Sequence, residues 1–267
     1  MPSSTTTTLH KLLEHAKWEE AQTLIEEDPS SAHIVGSFLN CLPLLVAVSN
    51  KPPLNIVESL ISANPNAVSS VSSFGHAPLR TSIRRNASKE VVGALLEKFP
   101  DSAMDIDKSG RSCLHYACLH SADKEVIEKL LEIWPKAACV PDEDGFYPLT
   151  LACISSNPSP DVIAALVDAY PEAALKAHSG EGLLALHLAA LHGASPESIQ
   201  LIYEANPDAI ETETESGYLP LHYACKKDVG VDTFKTVLDF YPDAARYVWH
   251  YVYRFGNNLH VFCISGR

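Results

Sequence analysis

The chain has 267 residues, a formal net charge of −13 at neutral pH and a hydrophobic content of 46%. Such a chain has apolar residues enough for a long packed core but lacks the Lys and Arg surplus that a nucleic-acid phosphate backbone demands. No run approaches the roughly 18 apolar residues that open a membrane-span reading, so neither nucleic acid nor membrane is expected as a partner. Residues 1–8, with four consecutive threonines, show no basic region leading into an apolar run, so they do not read as a secretory signal. They are expected to form a disordered lead-in. Leu12, Leu13, Ala16, Trp18, Ala21, Leu24 and Ile25 then fall at helical spacing, and residues 9–35 read as a capping helix pair.

Beyond that point the chain repeats itself. One leucine recurs as Leu44, Leu79, Leu114, Leu149, Leu186 and Leu221, at spacings of 35, 35, 35, 37 and 35. A glycine stands four residues before it at Gly75, Gly110, Gly145, Gly182 and Gly217, with Asn40 at that place in the first copy. A proline follows at Pro65, Pro100, Pro135, Pro171, Pro207 and Pro242. Marks that keep one period over this length are the signature of a stacked-repeat solenoid. The array is placed at 9–245.

Each unit reads as two helices. Pro43, Pro78, Pro148 and Pro220 stand at the first turn of the first helix, where a missing N–H is harmless, and Ser112 is the N-cap of the third unit's copy. Three residues after the key leucine stands a small residue, Ala47, Ser82, Ala117, Ala152, Ala189 or Ala224, which permits close helix approach. Ser159-Pro160 and Ser195-Pro196 open second helices. Val126, Ile127, Leu130 and Leu131, and Val162, Ile163, Leu166 and Val167, give those helices one apolar face. The recurrent proline stops the second helix, because the residue before a proline is pushed out of the α region. No unit can hide its apolar face alone, so neighbours must cover it.

The Gly-x-x-Pro-Leu-His-x-Ala-Cys core, clearest in Gly217-Tyr218-Leu219-Pro220-Leu221-His222-Tyr223-Ala224-Cys225, resembles the ankyrin repeat. The resemblance covers residues 9 to about 245 and implies an all-α, ankyrin-type solenoid of helix-turn-helix units with projecting turns. The period is slightly long for that family. The motif's threonine is mostly lost, and its histidine is kept only as His115, His187 and His222, with Leu45, Arg80 and Thr150 elsewhere. The backbone-bracing bonds made by the family's Thr–His pair are therefore expected to be missing in at least three units. The first two full units are expected to be the least stable.

No residue set reads as catalytic, cofactor-binding or metal-binding. His115 with Cys118, and His222 with Cys225, share helix faces, but each pair supplies two ligands where a closed zinc site needs four. Cys118, Cys153 and Cys225 take one place in three units and read as small core residues. Seven cysteines without close pairing fit a reducing compartment, so a cytoplasmic or nuclear monomer is expected. The resemblance implies a non-catalytic scaffold that binds a protein partner on its concave face. On the family frame the residue after each glycine is exposed, which gives His76, Arg111, Phe146, Leu183 and Tyr218. Arg84, Arg85, His120, His192, Lys226 and Lys227 lie at the ends of first helices. These residues suggest an apolar centre flanked by basic ends, suited to an acidic and hydrophobic segment. The alternatives are a Cys/His enzyme or metal protein, and the binding fragment of a larger multidomain protein. Residues 246–267, aromatic and without Asp or Glu, read as an irregular tail or a lid on the last helix pair.

Overall fold

A computed structural model describes residues 6–36, 40–156, 159–178, 180–225 and 229–246. Every regular element among them is helical, and the fold is an all-α solenoid of the ankyrin type. The chain divides into two compact units, residues 1–137 and 138–267. Most of the expected tail, residues 247–267, lies outside the described residues.

The first unit holds four helix pairs: α1 (Thr6–Glu14) with α2 (Trp18–Glu27), α3 (Pro43–Ser49) with α4 (Leu54–Ala63), α5 (Pro78–Arg84) with α6 (Lys89–Lys98), and α7 (Cys113–Leu119) with α8 (Lys124–Ile133). First helices pack on first helices, and second on second, so α3 touches α1 and α5 while α4 touches α2 and α6. The second unit repeats the plan with α9 (Pro148–Ile154), α10 (Pro160–Ala169), α11 (Ala185–Leu191), α12 (Pro196–Ala205), α13 (Pro220–Ala224) and α14 (Val231–Phe240). There α11 packs between α9 and α13, and α12 between α10 and α14. The capping helix starts at Thr6, not Leu9, so three residues of the expected lead-in are helical.

The core follows the sequence marks. Leu44, Leu79, Leu114, Leu149, Leu186 and Leu221 are all buried, as are Val126, Ile127, Leu130, Val162, Ile163 and Leu166. Leu131 and Val167, at the margin of the stripe, are half-buried. Burying each large side chain supplies roughly 1.5–3 kcal/mol, and the surface that covers it is the neighbouring pair. The small position three after the leucine is buried in every copy, from Ala47 to Ala224.

Turns account for the remaining marks. Gly75, Gly110, Gly145, Gly182 and Gly217 have φ between +70° and +84°, the left-handed region that a Cβ disfavours, and Asn40 sits there at +49°. Asparagine is the side chain that best tolerates this conformation, which explains the one exception to glycine. The recurrent proline does more than end a helix. The residue before it is extended, as Tyr170 is at φ −157°, ψ 82°, and the proline then opens a 3-10 turn such as Pro171–Leu175. Ser195 caps α12 through a hydrogen bond from the Ser198 amide (3.2 Å), whereas the Ser159 side chain makes no such bond to α10.

Candidate functional site

Each projecting turn is braced from within. In the third copy Asp107 N–H donates to the Arg111 carbonyl (3.0 Å), and Gly110 N–H to the Asp107 carbonyl (3.0 Å). The Asp107 carboxylate accepts from the amides of Ser109 (2.9 Å) and Arg111 (3.0 Å) and from the Tyr116 hydroxyl (2.6 Å). Burial alone would raise the Asp107 pKa, but these three donors and the Arg80 charge carry it below the ordinary range. Asp142, Ser72 and Thr214 do the same for the amides of Phe146, His76 and Tyr218. The signal is an Asp, Ser or Thr three residues before the glycine. It was available in the sequence, and it makes the turns rigid platforms rather than loose loops.

Histidine joins turn to helix where the family motif survives. His187 Nδ1 accepts from the Leu184 amide (3.2 Å), so Nε2 carries the proton and donates to the Thr212 carbonyl (3.0 Å) in the next unit's loop. Burial pushes His187 down to about 4 despite these carbonyl contacts. His115 and His222 accept from the amides of Ser112 (3.1 Å) and Leu219 (2.9 Å). At the places where histidine is lost, Thr150 turns its hydroxyl to the Tyr147 carbonyl (2.7 Å) and Arg80 reaches the Gly75 carbonyl (3.4 Å).

The residues expected on the surface are partly folded down. Phe146, Leu183 and Tyr218 are half-buried rather than fully exposed, as are His76 and Arg111. Phe146 stacks on His178 of the next turn, with ring centroids 4.5 Å apart and planes at 20°. His178 N–H in turn donates to the Leu183 carbonyl (3.1 Å), and Glu215 N–H to the Glu181 carbonyl (3.0 Å). Three consecutive turns of the second unit are thus tied side by side, carrying Phe146, Leu183 and Tyr218. Tyr218 packs edge-on against Tyr223, 6.1 Å away. His192 is exposed at the end of α11.

In the first unit Arg84 is half-buried at the end of α5, and Arg85 is exposed just beyond it. His120 closes α7, stacked on Tyr116 at 6.3 Å with planes 5° apart. Its pKa is lowered by burial and then by the Arg84 charge. Lys226 and Lys227 lie outside the described residues. The sequence reading missed the most exposed apolar group of the first unit: Phe74, 70% exposed, with Val71 at 56% and Ile106 at 49%. Apolar residues embedded in the turn-forming run Ser69-Ser70-Val71-Ser72-Ser73-Phe74-Gly75 were the available sign.

The paired His and Cys residues are parts of the packing. Burial pushes the Cys113 and Cys153 thiols up to about 12 and that of half-buried Cys225 to about 11, so none supplies a thiolate near neutral pH. No group of three or more His, Cys, Asp or Glu among the described residues is placed to hold a metal. No described helix is long and apolar enough to cross a membrane.

Helix pairs joined by braced turns, each covering its neighbour, define a helical repeat protein. Residues 44–137 match the family model for ankyrin repeats, in three copies. The same helix-pair plan is repeated on either side of that segment, so the ankyrin-type fold extends beyond the matched residues. Among solved structures it is similar to the human ASB11 ankyrin repeat domain, at 20% identity and TM-score 0.62, over 87% of this chain and 96% of that one. It is also similar to a chain in the complex of the predatory endopeptidase Bd0816 from Bdellovibrio bacteriovorus with the immunity protein Bd3460, at 20% identity and TM-score 0.58, over 73% of this chain and 96% of that one. At such identities the likeness is one of fold. No curated protein sequence matches the chain.

Proposed function

We propose that the chain is a non-catalytic scaffold that binds another protein through the face built from its projecting turns and first helices. The observation that carries this reading is the row of Phe146, Leu183 and Tyr218 on turns joined in sequence by the Phe146–His178 stack and the Glu215–Glu181 backbone bond. Aromatic and aliphatic groups held half-open on a rigid frame favour interface cores. A frame ordered in advance loses little conformational entropy on association. Ankyrin arrays as a class are protein-interaction modules, and one structural neighbour comes from a complex between two proteins. On this reading the array at 9–245 is the interacting part, and the chain works as a cytoplasmic or nuclear monomer.

The test is affinity capture with the tagged full chain, followed by mass spectrometry and reconstitution of the captured protein with purified chain. The expected result is a stoichiometric protein complex that Phe146→Ala with Tyr218→Ala abolishes while the melting temperature holds. Reconstituted binding unchanged in that double variant would discard the assigned surface. Stoichiometric zinc, or one hyperreactive thiol on reactivity profiling, would favour the enzyme or metal-protein alternative.

A further inference from the structure

The first unit carries a feature that a general binding role does not explain. Arg80 and Arg84 are four residues apart on α5 and share a face, with Arg85 following. All three charges act on His76 in the preceding turn, Arg84 most strongly, and Arg84 also acts on His120 at the end of the adjacent α7. Arg84 therefore lies within electrostatic reach of both imidazoles, one on the turn before its own helix and one on the next first helix. Arg80 is answered by the Asp107 carboxylate. Neither Arg84 nor Arg85 makes an ion pair among the described residues. Two uncompensated guanidinium groups in a chain of net charge −13 stand out against their background. The turn that carries His76 also carries exposed Phe74 and Val71.

The geometry points to a docking surface on the first unit for an acidic segment of a partner protein, with Arg84 and Arg85 receiving carboxylates and Phe74 and Val71 receiving an adjoining apolar side chain. This rests on the protein-binding reading above and names the chemistry of the partner. Guanidinium groups bind carboxylates in a planar, two-pronged fashion, and their placement beside exposed apolar groups selects a segment with both features. In later copies Leu119, Ile154 and Leu191 occupy the place of Arg84, and only the last copy, with Lys226 and Lys227, is basic there again, as ammonium groups that lack the guanidinium fork.

The experiment measures fluorescence anisotropy of labelled probes with the full chain at low salt. The probes are a short alternating glutamate–leucine peptide, its lysine–leucine counterpart and a thymidine oligonucleotide. Saturable binding of the glutamate–leucine peptide alone is expected. It should weaken in about 1 M salt, where the Debye length is about 3 Å. Arg84→Glu with Arg85→Glu should reduce affinity at least about tenfold, and Phe74→Ser roughly threefold, with melting temperatures unchanged. If the charge reversal unfolds the chain, Arg84→Gln with Arg85→Gln carries the same comparison. No binding of the glutamate–leucine peptide, equal binding by the arginine variant, or equal binding of the lysine–leucine peptide would overturn the inference. Tighter, arginine-dependent oligonucleotide binding would replace it with a nucleic-acid surface. Peptide binding that survives the arginine change but is lost in Phe146→Ala with Tyr218→Ala would sink this inference while leaving the interaction reading intact.

Discussion

Asn206 ties one repeat to the one before it, and its removal has a calculable cost. The residue stands just before Pro207, is 5% exposed, and its Nδ2 donates to the Ala174 carbonyl (3.0 Å) at the end of the preceding 3-10 turn. Asn64 makes the equivalent bond to Ala32 (3.1 Å) in the first unit. Asn206→Ala removes a net bond of about 0.5–1.5 kcal/mol and leaves a carbonyl beside a fully buried residue without this donor, a penalty of about 1–3 kcal/mol. The two terms overlap, so a loss of about 2 kcal/mol is expected. Asn206→Asp should cost more, because a carboxylate would face the carbonyl oxygen with no donor. That variant's penalty should ease as pH falls, since the buried carboxyl's folded-state pKa is raised and protonation restores a donor. Urea denaturation at fixed pH measures each loss, with Asn66→Ala as the control, since Asn66 is exposed two residues beyond Asn64. A cost below ~0.5 kcal/mol at Asn206, or one equal to the control, would refute the claim that this side chain clamps neighbouring repeats.

Four other outcomes follow from the same structure. Leu130, 1% exposed, should cost about 2–5 kcal/mol on truncation to alanine; chemical denaturation showing under ~1 kcal/mol would mean the α8 stripe is not the buried face. His187 has its folded-state pKa depressed to about 4, against an unfolded value of about 6.5, so its stabilising effect is full above the unfolded value and is lost as pH falls toward the folded one. The wild type should lose about 2 kcal/mol at this site between about pH 7 and about pH 5, and His187→Gln should flatten that part of the profile; parallel profiles would exclude the assignment. Lys51 holds φ +54° without being glycine, so Lys51→Gly should raise the urea midpoint by a net gain of about 0.5 kcal/mol, the left-handed penalty less the added unfolded-state freedom. Gly193→Ala at φ +69°, where the new Cβ meets nothing closer than 3.9 Å, should lower it through backbone strain alone.

The repeat was legible because its marks answer to forces that act in every copy. Leucine is buried wherever it recurs, and glycine recurs where φ is positive, which is why Asn40 could replace it and alanine does not. A second left-handed position recurs between the two helices of a pair, at Ala16, Lys51, Asn86, Ser121 and Gly193. It left no sequence mark, because at about 1–2 kcal/mol per residue the strain is tolerable when tertiary packing enforces the turn. The 3-10 turn after each proline was hidden for a related reason: proline announces that a helix cannot pass through it, not which structure follows. The Asn64 and Asn206 clamps were hidden because Phe99, Trp134, Tyr170 and Tyr241 take the same place in other copies, and a mark kept in some units only looks like noise.

The candidate surface obeys the opposite logic. A position that builds the stack must be alike in each unit, whereas one that meets a partner has no reason to be. The residue after the glycine is His76, Arg111, Phe146, Leu183 or Tyr218, five chemistries on one backbone geometry. Their spacing was readable from the repeat, but their exposure was not. Phe146 is drawn onto His178, a residue set by the one spacing of 37 and by nothing in the motif. Phe74 is left 70% exposed. Variation between copies therefore marks where to look for the partner, and packing between adjacent turns decides which of the varied side chains remain available to it.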